Sequence, residues 1–251
     1  MRAASIFSPN RYVPIANYRY PAFGKRKGIV YFVHGYGEYC QRYAYFGKLF
    51  AEAGYDFAGI DQRNFGFSTY PENPNKGVVE SWPSTVEDYF NFFGQYDDKY
   101  GGDDVPKYIV GHSMGALMSL HFTVMKPQMF KAMTIIAPYF TLYNEGMFAR
   151  YRPYMKVLDT LFPTHRLIKF PTNGRQPEHI MHFVTDPIAF SRGKMAVRNA
   201  SVTELLRFDV TSKNFRDRLE TPFLMLLGSQ DTLVDNEGSR AFARECTHPR
   251  V

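Results

Sequence analysis

Along this chain, short uninterrupted apolar runs alternate with longer stretches in which apolar residues recur every three or four positions. The runs "GIVYFVHG" (28–35), "YDFAGID" (55–61), "KYIVGHS" (107–113), "KAMTIIAP" (131–138) and "PFLMLLGS" (222–229) are rich in β-branched and aromatic residues and predict buried strands. Between them, "RYAYFGKLFAEAG" (42–54) and "STVEDYFNFFGQYDDKY" (84–100) carry the helical period, the second with Ser84 as cap and Glu87 three residues on. Strands alternating with helices build a mostly parallel sheet with helices on both faces, an α/β fold. The rhythm breaks after Pro138. From about 139 to 221 the sequence is aromatic, Met-rich and Pro-punctuated, with no clear strand, which predicts a helical cap inserted over the sheet of a single domain spanning 1–251.

Composition refines this picture in two places. At 251 residues and 45% hydrophobic, the chain can fill one large core, and no apolar run reaches the length that spans a bilayer. The net charge of +6 is matched by six cations, Arg2, Arg11, Arg19, Lys25, Arg26 and Lys27, that precede the first acid, Glu38. Such an N-terminus fits a solvated basic edge, a contact with lipid head groups or an acidic partner, or a mitochondrial presequence, although Pro9 and Pro14 interrupt any amphipathic helix. No interleaving of aromatic and basic residues marks a nucleic-acid module. Cys40 and Cys246 form no CxxC pair, which points to a reducing, cytoplasmic setting.

The chemistry centres on "GHSMG" at 111–115. A strand, "KYIV", enters this GxSxG and a helix, "ALMSLHFTVMK", leaves it, so Ser113 stands on a tight strand-to-helix turn where a base can reach its hydroxyl. Gly111 and Gly115 are expected because side chains there would collide across the turn. The helix aims its first amides at the reaction centre, where an oxyanion develops. A second loop, "VHGYGEYCQRY" (33–43), follows the first strand, so the oxyanion amides fall to Tyr36 and Met114, and His34 is expected to fix the loop by hydrogen bonding.

"HGYGEYCQRY", "DQRNFGFS" (61–68), "GHSMGA" and "PFLMLLGSQDTLVD" stand in the order and spacing of the monoacylglycerol-lipase-like α/β-hydrolases, a group that also holds serine aminopeptidase-like and lysophospholipase-like proteins. The chain resembles that family over roughly 20–246, and "DPIAFSRGKMAVRNASVTELL" looks like the end of its cap. The resemblance implies a lipid-like acyl ester as substrate, an acyl-enzyme on Ser113, Asp231 as the acid, and no metal or organic cofactor. Asn64 stands where the family prefers glycine, which concerns a turn and not the chemistry; Asp61 and Arg63 are expected to be structural ion-pair residues. Phe140, Leu142, Met147, Phe148, Tyr151, Met155, Leu158 and Phe162 offer an apolar wall, for substrate or for packing the cap on the body. No anchor for a substrate amine is found.

The base is the missing member. In this fold the triad order is Ser, Asp, His, and the base follows the acid after a helix and one further strand. Only His248 follows Asp231, and the intervening helix "NEGSRAFAREC" carries the chain some 16 Å toward the opposite sheet edge. His112 adjoins Ser113 but points elsewhere, His121 lies two helical turns along, and His165, His179 and His182 belong to the insertion. Two expectations follow. Either the sequence is part of a longer serine hydrolase that lacks its last strand and histidine here, or it is a catalytically inactive hydrolase-fold subunit that leans on other subunits of an assembly.

Overall fold

In a computed structural model of the chain, residues 4–8, 11–70, 73–101, 104–141, 152–169, 186–189, 194–231 and 233–246 are described. Seven strands form one sheet in the order β1 (Ala4–Ser8), β2 (Arg11–Tyr20), β4 (Tyr55–Ile60), β3 (Gly28–Val33), β5 (Lys107–His112), β6 (Ala132–Ile136) and β9 (Phe223–Leu226). Pairs from β4 to β9 are parallel, whereas β1 and β2 are antiparallel to their neighbours. The basic N-terminus is therefore partly sheet and not simply a solvated edge. Arg19 and Arg26 both reach Asp56, at 3.0 and 3.3 Å, and Asp56 is 1% exposed, so these cations neutralise a buried acid on β4.

Helix α1 (Ala44–Glu52) covers one face of the sheet, while α2 (Trp82–Tyr100) and α3 (Met114–Met125) bury their apolar sides on the other. In α2 the buried set Thr85, Asp88, Tyr89, Phe92, Phe93 and Tyr96 follows the helical period. Its cap is Ser81 and not Ser84. The Ser81 side chain accepts the Ser84 N–H, and Pro83 fits the first turn, where no amide donor is required. Coverage thins at the β9 edge, where Leu224 and Leu226 are 57% and 43% exposed.

The insertion holds α4 (Met155–Leu161), α5 (Val197–Val210) and α6 (Lys213–Arg216), before α7 (Asn236–Glu245) returns to the body. It also contains strands, contrary to expectation: β7 (Arg166–Lys169) and β8 (Lys194–Ala196) pair antiparallel as a two-stranded ribbon. At four and three residues they are too short to show a period. Among the described residues, no helix is long and apolar enough to cross a membrane.

Candidate active site

β5 ends at His112 and α3 begins at Met114, leaving Ser113 at φ 54°, ψ −116°, a left-handed conformation that costs a residue with a side chain. Two glycines make the turn possible. A Cβ on Gly111 would lie 2.4 Å from Gly115 O, and one on Gly115 would lie 2.2 Å from Val33 O and 2.6 Å from His34 O. The start of α3 is thus pressed against the loop that leaves β3. Tyr36 sits in that loop, and Met114 opens α3, where the first amides have no acceptor within the helix. Ser113 N–H donates to Ile136 O at 2.9 Å, fixing the turn to β6.

Asp231 follows β9, and its Oδ1 accepts the N–H groups of Leu233 and Val234, each at 2.9 Å. Its carboxylate lies close enough to contribute to the field at His112. Asp235 caps α7 by accepting the Glu237 N–H.

The described histidines are all engaged. His34 is fully buried; its Nε2 accepts the Gln62 N–H at 2.8 Å, which leaves Nδ1 to donate to Gly35 O at 2.8 Å. His112 meets Glu38 through Nδ1 at 2.8 Å and the Tyr43 hydroxyl at 2.9 Å. His121 faces Leu206 O and Asp209, and His165 lies in the insertion against Phe162. His179, His182 and His248 lie outside the described residues, as do Leu142, Met147, Phe148 and Tyr151. Phe140 is 1% exposed and stacks on Phe242 at 4.4 Å, so its ring packs the body against α7. Met155 and Met195 make a small cluster with Ala200 that Tyr36, Tyr139 and Leu233 join, placing apolar side chains between the insertion and the loop that leaves β3. Among the described residues no group of His, Cys, Asp and Glu is arranged to hold a metal.

Of the expected structural pair, Arg63 does form ion pairs, with Asp88 at 2.7 Å and Glu80 at 3.3 Å. Asp61 instead accepts hydrogen bonds from Cys40 N, Phe67 N and Tyr18 Oη. A carboxylate beneath two loops is satisfied by their amides, and burial raises its pKa. Asn64 has φ 69°, a conformation asparagine tolerates, and its Nδ2 donates to Val78 O.

Sequence reasoning gave Glu38 no role, yet it organises the turn. It accepts the Gly35 N–H at 3.0 Å, takes the Tyr43 hydroxyl and pairs with His112. Burial opposes its charge, but the field and hydrogen bond of His112 outweigh burial and hold its pKa at about 2. For His112, burial favours the neutral ring and is likewise overcome by Glu38, with Asp231 adding to the rise. The raised His112 pKa contributes stability that is full below about 6.5 and is lost as pH climbs through the folded midpoint. The Glu38 contribution is present above about 4.5 and is lost as pH falls through about 2. Imidazole NMR titration should place His112 above 6.5 in the native protein and below 6.5 in Glu38→Gln, where burial acts with less opposition. Equal midpoints in the two proteins would show that Glu38 does not hold the ring.

A mostly parallel sheet carrying a serine on a strained strand-to-helix turn, with the loop that leaves β3 pressed against the helix start, defines an α/β-hydrolase. The chain belongs to the serine aminopeptidase S33 family, whose model matches residues 24–251. It is 25% identical over 221 residues to mouse (Mus musculus) monoglyceride lipase, covering 86% of this chain and 69% of that one. With Mycolicibacterium smegmatis monoacylglycerol lipase it shares 25% over 231 residues, 90% and 79% of the two chains. Among solved structures, a soluble variant of Saccharomyces cerevisiae monoglyceride lipase with a substrate analog superposes with a TM-score of 0.82. That match has 18% identity and covers 100% of this chain and 84% of that one. A carboxyl esterase from Bacillus coagulans also gives 0.82 at 18% identity, over 98% and 87%.

Proposed function

We propose that this chain carries the nucleophile of an acyl-ester hydrolase acting on monoacylglycerol-like or lysophospholipid-like esters. The Ser113 hydroxyl attacks the ester carbonyl, the amides of Tyr36 and Met114 receive the oxyanion, the alcohol leaves, and water releases the acid from the acyl-enzyme. Asp231 is the acid that would orient the imidazole base. The observation that carries the reading is Ser113 itself, strained at φ 54° where the start of α3 meets the oxyanion loop. The named relatives, monoglyceride lipases in mouse and yeast, support the substrate class. Contact with a lipid surface belongs to the same reading: Tyr154, the residue before α4, and Val157 and Leu161 on α4 are 63%, 58% and 62% exposed.

The protein made from its intact gene is expected to release fatty acid from monoacylglycerol in vesicles, with all release lost in Ser113→Ala. Leu161→Glu should slow release from vesicles while sparing a soluble short-chain ester; equal rates on both would remove the lipid-surface part. No release by any form leaves the inactive subunit, a reading favoured by the ring nitrogens of His34, His112 and His121 facing partners other than Ser113.

A further inference from the structure

One helix of the insertion touches both residues assigned to the oxyanion site. Asn199, on α5, is 0% exposed. Its Oδ1 accepts the Val79 N–H at 2.6 Å, and its Nδ2 donates to Gly77 O at 2.8 Å and to the Tyr36 hydroxyl at 3.1 Å, a hydroxyl that Arg166 on β7 also bonds. One turn on, Thr203 bonds Asn199 O at 2.6 Å, and its hydroxyl lies 3.4 Å from the Met114 sulfur. Residues four apart on a helix share a face. That face of α5 therefore meets the side chains of Tyr36 and Met114 together. The Tyr36 ring is also set edge-on to Phe65 at 5.9 Å and packs beside Met155 and Met195, so its ring is held by body and insertion at once. A buried asparagine is retained at low cost only when its donors and acceptor are used, as they are here.

We infer that Asn199 is a positioning residue: by holding the Tyr36 phenol it sets the Tyr36 amide in the oxyanion site, so that oxyanion binding depends on the docking of the insertion. This rests on the assignment of Tyr36 and Met114 made above. Asn199 touches no reacting atom. Its effect is expected on a tetrahedral anion at Ser113 and not on an uncharged ligand that merely occupies the site.

Butaneboronic acid separates these cases without needing a base to turn over substrate. Its boron bonds the Ser113 oxygen, the hydroxyl proton passes to solvent, and a tetrahedral boronate anion results, visible by boron-11 NMR. A 1-O-alkylglycerol, an ether with no carbonyl, serves as the uncharged ligand. The 251-residue chain should form the adduct and Ser113→Ala should not. Asn199→Ala and Tyr36→Phe should each weaken boronate binding by about 10-fold or more, a fraction of what loss of an oxyanion donor costs. Both should leave alkylglycerol affinity within about 2-fold, and the double variant should bind boronate no more weakly than Tyr36→Phe alone, which already loses every bond to the phenol, that of Arg166 included. Tyr36→Phe keeps the bonds of Asn199 to Gly77 and Val79 but also removes the bond from Arg166, so Arg166→Met beside it, expected to weaken boronate less than Tyr36→Phe does, decides the matter if Asn199→Ala fails to fold. Unchanged boronate affinity in Tyr36→Phe, or equal weakening of both ligands, overturns the inference and leaves the active-site assignment standing. Absence of any Ser113 adduct in the unaltered chain overturns that assignment, and the inference with it.

Discussion

Residues 1–251, purified alone and treated with a fluorophosphonate probe, are expected to label at Ser113 at least about 10³-fold more slowly than mouse monoglyceride lipase run alongside, because triads stripped of one member lose several orders of magnitude. The probe reports the activated hydroxyl and requires no knowledge of the substrate. Ser113 has its turn and its neighbouring amides, but three described histidines are bonded elsewhere, His34 to Gln62 and Gly35, His112 to Glu38 and Tyr43, and His121 to Leu206 and Asp209, while His165 packs edge-on to Phe162 in the insertion. Rapid labelling, abolished by Ser113→Ala, would overturn this expectation. Replacing His179, His182 and His248 in turn would then identify the base.

Gly115→Ala is expected to destabilise the fold by about 3 kcal/mol, at the upper end of overpacking costs, or about 6–12 °C in Tm for a chain of this size. The added methyl would lie 2.2 Å from Val33 O and 2.6 Å from His34 O. Both contacts are backbone, and a strand carbonyl in a paired sheet cannot swing aside as a side chain can. Relief must come from moving α3 away from the loop that carries Tyr36. Gly94→Ala is the control. It lies within α2 with nothing inside 4 Å of its added Cβ, so it should stabilise by about 0.5–1 kcal/mol. Thermal unfolding of the two variants checks both signs, and a Gly115→Ala midpoint equal to the parent's would mean that α3 is not seated on this loop.

The parallel part of the sheet was legible because each strand is one continuous apolar run, a local signal. β1 and β2 were not, since their pairing is set by distant partners: Asp56 receives Arg19 from 37 residues away. Pro14 sits in β2 opposite Phe7, beside a register shift, and in sequence it argues against a strand. The ribbon of β7 and β8 is too short for any period to emerge. At the candidate site, the turn that carries Ser113 between β5 and α3 was legible because adjacent glycines mark it. Glu38 lay within a quoted motif, yet its partner His112 is 74 residues on. Asn199 is the extreme case: it lies within the stretch that resembles the end of the cap, but its partners are 120 and 163 residues away. Local chemistry is written in local sequence; support from across the fold is not.

The backbone of Ser113 carries a consequence for how this sequence drifts over generations. A residue with a side chain held at φ 54° costs on the order of 1–3 kcal/mol that glycine would not incur. At that position stability and nucleophile pull in opposite directions, so Ser113→Gly is the change that a lineage indifferent to the hydroxyl would gain by accepting. A lineage that uses the hydroxyl as the proposed nucleophile would keep serine at that cost. A homologue with glycine at this elbow would be one that has traded the oxygen for an unstrained turn.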